Sequence, residues 1–309
     1  MKMKTGLAAL VTALLLLPGI AQADELPMKA EAPITLTSPS AILCEASTGQ
    51  VIFEKNADER RPVASVNKVM TILLTLEAVD EGRVSLEDQV TVSPRAASMG
   101  GSQAFLDAGE RYPLGELLKT VIVASANDSA IAIAEHLAGA EEAFVKLMNA
   151  RADELGLQNT HYVNCTGLPA QEHYTTARDV AKLSAQLDLH PIYYRYSTIW
   201  MDEIKHRGGR VTALTNTNRL VRFYPGCDGY KTGSTNEARY CISATAKKDG
   251  MRLIAVVLGT PAGQTRFDEA RAMLEYGFAN VKLATPIAQG QPLDMTVPVR
   301  LGGRDRVSV

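Results

Sequence analysis

Ser65 and Lys68 stand three residues apart in Ser65-Val66-Asn67-Lys68, and on a helix that spacing puts both side chains on one face within reach of each other. A serine hydroxyl is a weak nucleophile at neutral pH and needs a base, which a neutral lysine amine supplies. Lysine ordinarily titrates near about 10.4, so the role requires burial or a neighbouring positive charge to depress it. Lys231 is a candidate for that neighbour. Alone, the pair reads more simply as a capping serine followed by a solvated lysine.

Two further groups of residues suit the same chemistry. Ser125 and Asn127 form an SxN pair that offers a proton relay and an amide to hold a substrate. Lys231-Thr232-Gly233 places a cation and a hydroxyl beside a residue whose missing side chain lets a substrate approach along the backbone. Each motif is weak by itself: Ser65-Val66-Asn67 and Ser234-Thr235-Asn236 also match SxN, and Lys4-Thr5-Gly6 also matches KTG.

The elements that must carry these residues can be read from the pattern. Ser65 to Val79 is apolar on nearly every side after its first turn, as in a helix buried within a domain. Residues 113–124, opened by a proline, and 129–139, closed by a glycine, read as two helices, with Ser125 to Asp128 at the break between them. Further helices are expected over Glu141 to Leu155, Thr176 to Leu187 and Gln264 to Phe278. Ala41 to Glu45 and Gln50 to Glu54 read as a hairpin, and Tyr240 to Ala246 and Met251 to Gly259 as a second one turning at Asp249-Gly250. The second hairpin follows Lys231-Thr232-Gly233, so a strand is expected to bring that motif to a cleft edge. Strands at both ends of a helical middle predict an α+β fold, with an antiparallel sheet built from the N- and C-terminal parts and flanked by helices.

What carries weight is the combination: SxxK opening a buried helix, SxN at a helix junction and KTG at a strand. With these motifs the chain resembles the low-molecular-mass penicillin-binding proteins, specifically serine-type D-alanyl-D-alanine carboxypeptidases (peptidase family S11) of the transpeptidase/β-lactamase-like fold. The resemblance runs from about Ala32 to Phe278 and extends to Gly101 to Leu106, His173 to Ala177, Thr215 to Leu220 and Asp228-Gly229-Tyr230. It implies a sheet flanked by helices, a mostly helical subdomain and a substrate that is a peptidoglycan stem peptide ending in D-Ala-D-Ala, with β-lactam antibiotics as inhibitors. It further implies that Ser65 attacks the penultimate D-alanine carbonyl, Lys68 accepts the proton, Ser125 relays it to the leaving D-alanine and Asn127 holds the peptide amide. The backbone N–H groups of Ser65 and Ser234 would form the oxyanion hole, Lys231, Thr232 and Gly233 would line the substrate, and Arg266 would hold its terminal carboxylate. Arg239 departs from the family, standing where many relatives have glycine.

Two rival functions share parts of this pattern. A class A β-lactamase also needs a glutamate to activate the deacylating water, and no Glu-x-x-Leu-Asn segment lies between Asn127 and Lys231. A catalytically silent cell-wall binding module has no need of the intact set Ser65, Lys68, Ser125, Asn127 and Lys231.

The remaining residues bound the setting. Lys2 and Lys4, the apolar run Leu7 to Leu17 and Ala21-Gln22-Ala23 read as an export signal over residues 1–23, which predicts an exported protein acting on the cell-wall side of the cytoplasmic membrane. Residues 24–280 are then the catalytic domain and 281–309 the incomplete start of a β-rich C-terminal domain; relatives often add an amphipathic membrane-binding helix, and only such a segment would make a membrane surface a partner. The 32 basic against 34 acidic residues leave no basic excess for nucleic acid. Five scattered histidines and four cysteines without a CxxC pair disfavour a metal, and no cofactor is expected. A Cys227–Cys241 bridge would depend on geometry.

Overall fold

The computed structural model describes residues 34–284 and the strands at 296–298 and 306–308; the expected export signal lies outside the described residues. In chain order, β1 (Ser40–Glu45) and β2 (Val51–Lys55) form the first hairpin, and a 3₁₀ turn over Ala64–Asn67 leads into α1 (Lys68–Asp80). β3 (Gln89–Thr91), α2 (Pro94–Ala97) and β4 (Arg111–Pro113) precede α3 (Leu114–Val123), α4 (Asn127–Ala138) and α5 (Glu141–Glu154). Then come α6 (Ala177–Gln186), α7 (Ile192–Ser197), a hairpin of β5 (Met201–Lys205) with β6 (Val211–Thr215), and α8 (Leu220–Phe223). The long strands β7 (Cys227–Thr235), β8 (Arg239–Lys248) and β9 (Met251–Thr260) lead into α9 (Thr265–Asn280). In the tail, β10 (Thr296–Pro298) pairs antiparallel with β11 (Arg306–Ser308).

The main sheet has the order β2-β1-β9-β8-β7 and is antiparallel throughout. As the sequence pattern predicts, its strands come from the two ends of the described chain. β9 reads as a continuous apolar run because both faces of the sheet are covered. Leu253, Ala255 and Val257 pack with Phe267, Ala270, Met273 and Leu274 of α9, whereas Ile254, Val256 and Leu258 join the larger core shared with α1, α3 and α4. Burying a side chain of this size stabilises by about 1.5–3 kcal/mol, so the sheet is clamped from both sides. β7 is an edge strand of that sheet, and it is the strand that carries Lys231-Thr232-Gly233.

The predicted helices form within a residue or two of their expected ends, except at the start of the first. The sequence pattern begins a helix at Ser65, but the α-helix starts at Lys68 and Ser65 lies in the 3₁₀ turn. A 3₁₀ turn holds three residues, so side chains at i and i+3 eclipse. Ser65 and Lys68 therefore stand one above the other on the same side of the turn. The short pairs β3–β4 and β5–β6 and the helices α7 and α8 have no strong signature in the sequence, since so few residues draw their stability from tertiary contacts.

Candidate active site

The turn that holds Ser65 is pressed between two other segments. Ala64 adopts φ +49°, a left-handed conformation that a residue with a Cβ rarely enters. A Cβ on Gly167 would lie 2.0 Å from the Ala64 carbonyl oxygen, and one on Gly233 would lie 2.5 Å from Val63 O and 2.8 Å from Ser65 N. From its place in Lys231-Thr232-Gly233, the bare backbone of Gly233 is expected to face an approaching substrate. In the structure the space is taken by the Ser65 turn itself, which fits against β7 only because no side chain intervenes.

Lys68 is fully buried, and its Nζ lies 2.8 Å from Ser65 Oγ and 2.7 Å from Thr166 O. As an ammonium the group donates to both oxygens; as an amine it accepts the Ser65 proton. Burial lowers its pKa to about 7, while the nearby Cys165 and Asp128 act in the opposite direction. Lys231, 1% exposed, is held well below the ordinary lysine range by burial and by the charges of Lys68 and Arg266. Its Nζ contacts Thr232 O at 3.3 Å.

Ser125 and Asn127 are each 3% exposed. Ser125 has φ +65°, and its Oγ has no hydrogen-bond partner. Asn127 donates from its backbone N–H to Ser102 O at 2.7 Å and from Nδ2 to Gly100 O at 2.7 Å, leaving Oδ1 unpartnered. A Cβ on Gly101 would come within 2.8 Å of Asn127 Nδ2. Asp128 accepts from the N–H groups of Ala104 (3.0 Å) and Leu106 (3.1 Å), so the start of α4 pins residues 100–106 beside the site. Ser125 Oγ and Asn127 Oδ1 are thus buried polar atoms with hydrogen-bonding capacity to spare.

On β7, Thr232 is buried and Ser234 is exposed. Arg266 projects from the first turn of α9, where its Nη1 donates to Gly233 O (2.9 Å) and Cys241 O (3.4 Å) while its Nε is buried without a partner. The guanidinium also sits 4.7 Å over the Phe267 ring. Arg266 thus braces the strand as well as adding positive charge beside Lys231. Arg239, at the start of β8, has φ +56°; a left-handed residue there is what glycine supplies without strain.

Several residues that shape the Ser65 turn belong to none of the three motifs. Asn67, inside the SxxK turn, donates from Nδ2 to Asn164 O at 3.1 Å and its Oδ1 lies 2.9 Å from His173 Nε2. His173 Nδ1 accepts the Val163 N–H at 3.1 Å, so the neutral ring carries its proton on Nε2 and donates to Asn67. Burial, and then the proximity of His161, lowers its pKa to about 4. Asn164 Oδ1 in turn accepts from the N–H groups of Thr166 and Gly167, shaping the loop whose carbonyl meets Lys68. The one hint in the sequence was the resemblance at His173 to Ala177.

All four cysteines are free and buried. Cys227 and Cys241 cannot form a bridge, because Cys227 pairs with Ala246 while Cys241 pairs with Gly233 at the other end of the β7–β8 ladder. Among the described residues, no group of three His, Cys, Asp or Glu side chains gathers to hold a metal, and no helix is long and apolar enough to cross a membrane.

Residues 27–262 match the family model of peptidase S11, D-alanyl-D-alanine carboxypeptidase. D-alanyl-D-alanine carboxypeptidase DacF of Bacillus subtilis is 45% identical over 240 residues, covering 78% of this chain and 62% of the relative. DacC of Escherichia coli is 37% identical over 265 residues, covering 82% and 65%. The chain thus spans slightly less than two thirds of the length of either. Among solved structures, penicillin binding protein 5 from Haemophilus influenzae is similar with a TM-score of 0.81 at 30% identity, over 90% of this chain and 81% of that one.

Proposed function

This chain belongs to the D-alanyl-D-alanine carboxypeptidase family, and on that premise we propose that it hydrolyses the terminal D-Ala-D-Ala bond of peptidoglycan stem peptides on the outer side of the cytoplasmic membrane. Ser65 Oγ attacks the penultimate D-alanine carbonyl as its proton passes to Lys68. Ser125 passes a proton to the nitrogen of the departing D-alanine, and Asn127 holds the substrate amide. The N–H groups of Ser65 and Ser234 meet the oxyanion, stabilising charge that appears only in the transition state. Lys231, Thr232 and Arg266 attract the terminal carboxylate. Water then cleaves the acyl-serine ester, restoring the hydroxyl.

The observation that carries this reading is the 2.8 Å contact of Ser65 with a fully buried lysine whose pKa lies at about 7. A β-lactam, whose strained amide imitates the scissile bond, should acylate the same oxygen. Incubating the protein and a Ser65→Ala variant with excess penicillin, while following intact mass and free drug, tests it. The expected result is a lasting adduct on the wild type alone, together with D-alanine release from a stem pentapeptide. Drug loss without an adduct points to a β-lactamase, and neither adduct nor drug loss points to a silent binding module.

A further inference from the structure

Three successive backbone carbonyls of the loop beside the nucleophile are each taken by a side chain from the Ser65 turn or the start of α1. Asn67 Nδ2 donates to Asn164 O at 3.1 Å, Thr71 Oγ1 to Cys165 O at 2.8 Å and Lys68 Nζ to Thr166 O at 2.7 Å. The loop is thus held in one register against the segment that carries Ser65 and Lys68. Building on the acyl-serine reading, we propose that Asn67, anchored by His173, is a positioning residue for acylation: it fixes the Thr166 carbonyl, and that carbonyl turns the Lys68 lone pair toward Ser65 Oγ.

The need for such a device follows from the chemistry of an amine. A neutral lysine carries two N–H groups and one lone pair on a group that rotates about its last carbon bond, and only the lone pair can take the serine proton. Among the described residues, the hydrogen-bond partners of Lys68 Nζ are Ser65 Oγ and Thr166 O. A carbonyl oxygen has no proton to give and can only accept, so one N–H is committed to Thr166 and the lone pair is left for Ser65. The carbonyl therefore plays the part of the third group that orients a catalytic base.

What holds the carbonyl in place is a chain of committed polar groups. Asn164 Oδ1 accepts from the N–H groups of Thr166 at 3.1 Å and Gly167 at 2.7 Å, which bends the loop around its own side chain. Gly167 lies so close to the turn that a Cβ there would come within 2.8 Å of Asn67 Cβ. Asn67 is buried, and both ends of its amide are spent on the link between turn and loop. Because Nδ2 must face the Asn164 carbonyl, Oδ1 faces His173, whose Nε2–H donates to it at 2.9 Å while Nδ1 accepts the Val163 N–H at 3.1 Å. His173 thereby keeps the Asn67 amide from flipping, and the order of donors runs unbroken from Val163 to Asn164.

The test is single-turnover acylation by a chromogenic β-lactam, followed by stopped flow over a range of drug concentrations to separate the limiting rate constant from the dissociation constant of the first complex. The amplitude reports the folded fraction, so a destabilised variant still yields its rate constant. In Asn67→Ala and in His173→Leu the limiting rate constant should fall by about 10- to 100-fold, as a misaimed base implies, with the dissociation constant within about twofold of wild type. His173→Gln, which keeps an acceptor for Val163 and a donor for Asn67, should retain most of the wild-type rate. Because the two residues act through one chain, Asn67→Ala/His173→Leu should be no slower than Asn67→Ala alone. A wild-type rate constant in Asn67→Ala, a loss that appears in the dissociation constant instead, losses that multiply in the double variant, or a His173→Gln variant as slow as His173→Leu would each overturn the assignment. Absence of acylation in the wild type would instead overturn the acyl-serine reading, on which this one rests.

Discussion

The Lys68 amine serves as a base only when unprotonated, and its burial is what makes that form abundant near neutral pH. The sign follows directly: below about 7 the lysine holds its proton, so acylation of Ser65 should rise roughly tenfold per pH unit up to that point and then level. Stopped-flow acylation by a chromogenic β-lactam between pH 5 and 9 checks it; a flat profile would exclude Lys68 as the base. Lys68→Ala should lose at least about 100-fold in acylation. Lys68→Arg, which stays protonated throughout, should be equally slow and show no rise. At this scale the sequence is most informative, since type and spacing single out Ser65, Lys68, Ser125, Asn127 and Lys231 as candidates. The depressed pKa was not legible, because the loop that helps bury Lys68 supplies the Thr166 carbonyl from 98 positions further along the chain.

A turn, a loop and a strand edge meet at Ser65, and two substitutions separate their contributions. Gly233→Ala places a methyl group 2.5 Å from Val63 O and 2.8 Å from Ser65 N, both backbone atoms that can yield only by moving the turn. Acylation should fall by about 100-fold or more, as misplacement by roughly 1 Å implies, and circular dichroism should still show the fold. On the loop side, His173 ordinarily titrates at 6.5 but in the folded protein at about 4. Between those values the unfolded chain takes up a proton that the folded one refuses, so stability should decline as pH falls through this window. The loss approaches about 3 kcal/mol below it. Denaturant melts at pH 4 to 7 should show the slope, and His173→Gln, which keeps a donor and an acceptor but does not titrate, should flatten it. Periodicity revealed the long helices and the β8–β9 hairpin. It could not reveal the 3₁₀ turn or the left-handed Ala64, which sits where Gly167 and Gly233 press on the turn from distant segments, nor the left-handed Ser125.

Across the described residues the sheet separates two cores, and the Ser65 turn lies where β7 meets the larger one. Strands at both ends of the sequence pointed to such a sheet, but the order β2-β1-β9-β8-β7 and its registers depend on pairings between distant segments that no local pattern contains. On the far face, α9 has two roles that can be dissected. Its apolar side buries Leu253 completely, whereas Arg266 reaches the carbonyls of Cys241 and of Gly233, which abuts the Ser65 turn. Leu253→Ala should therefore cost about 2–5 kcal/mol in a denaturant melt, while the folded fraction still acylates within about twofold of wild type, because the emptied space lies on the face away from Ser65. Arg266→Ala should behave in the opposite way, with a smaller stability loss but acylation slowed by about tenfold or more. It releases the strand that abuts the Ser65 turn and removes the guanidinium charge beside Lys231. If both variants lost activity only in proportion to stability, α9 would be a structural support alone, and Arg266 would have no separate part in holding the site.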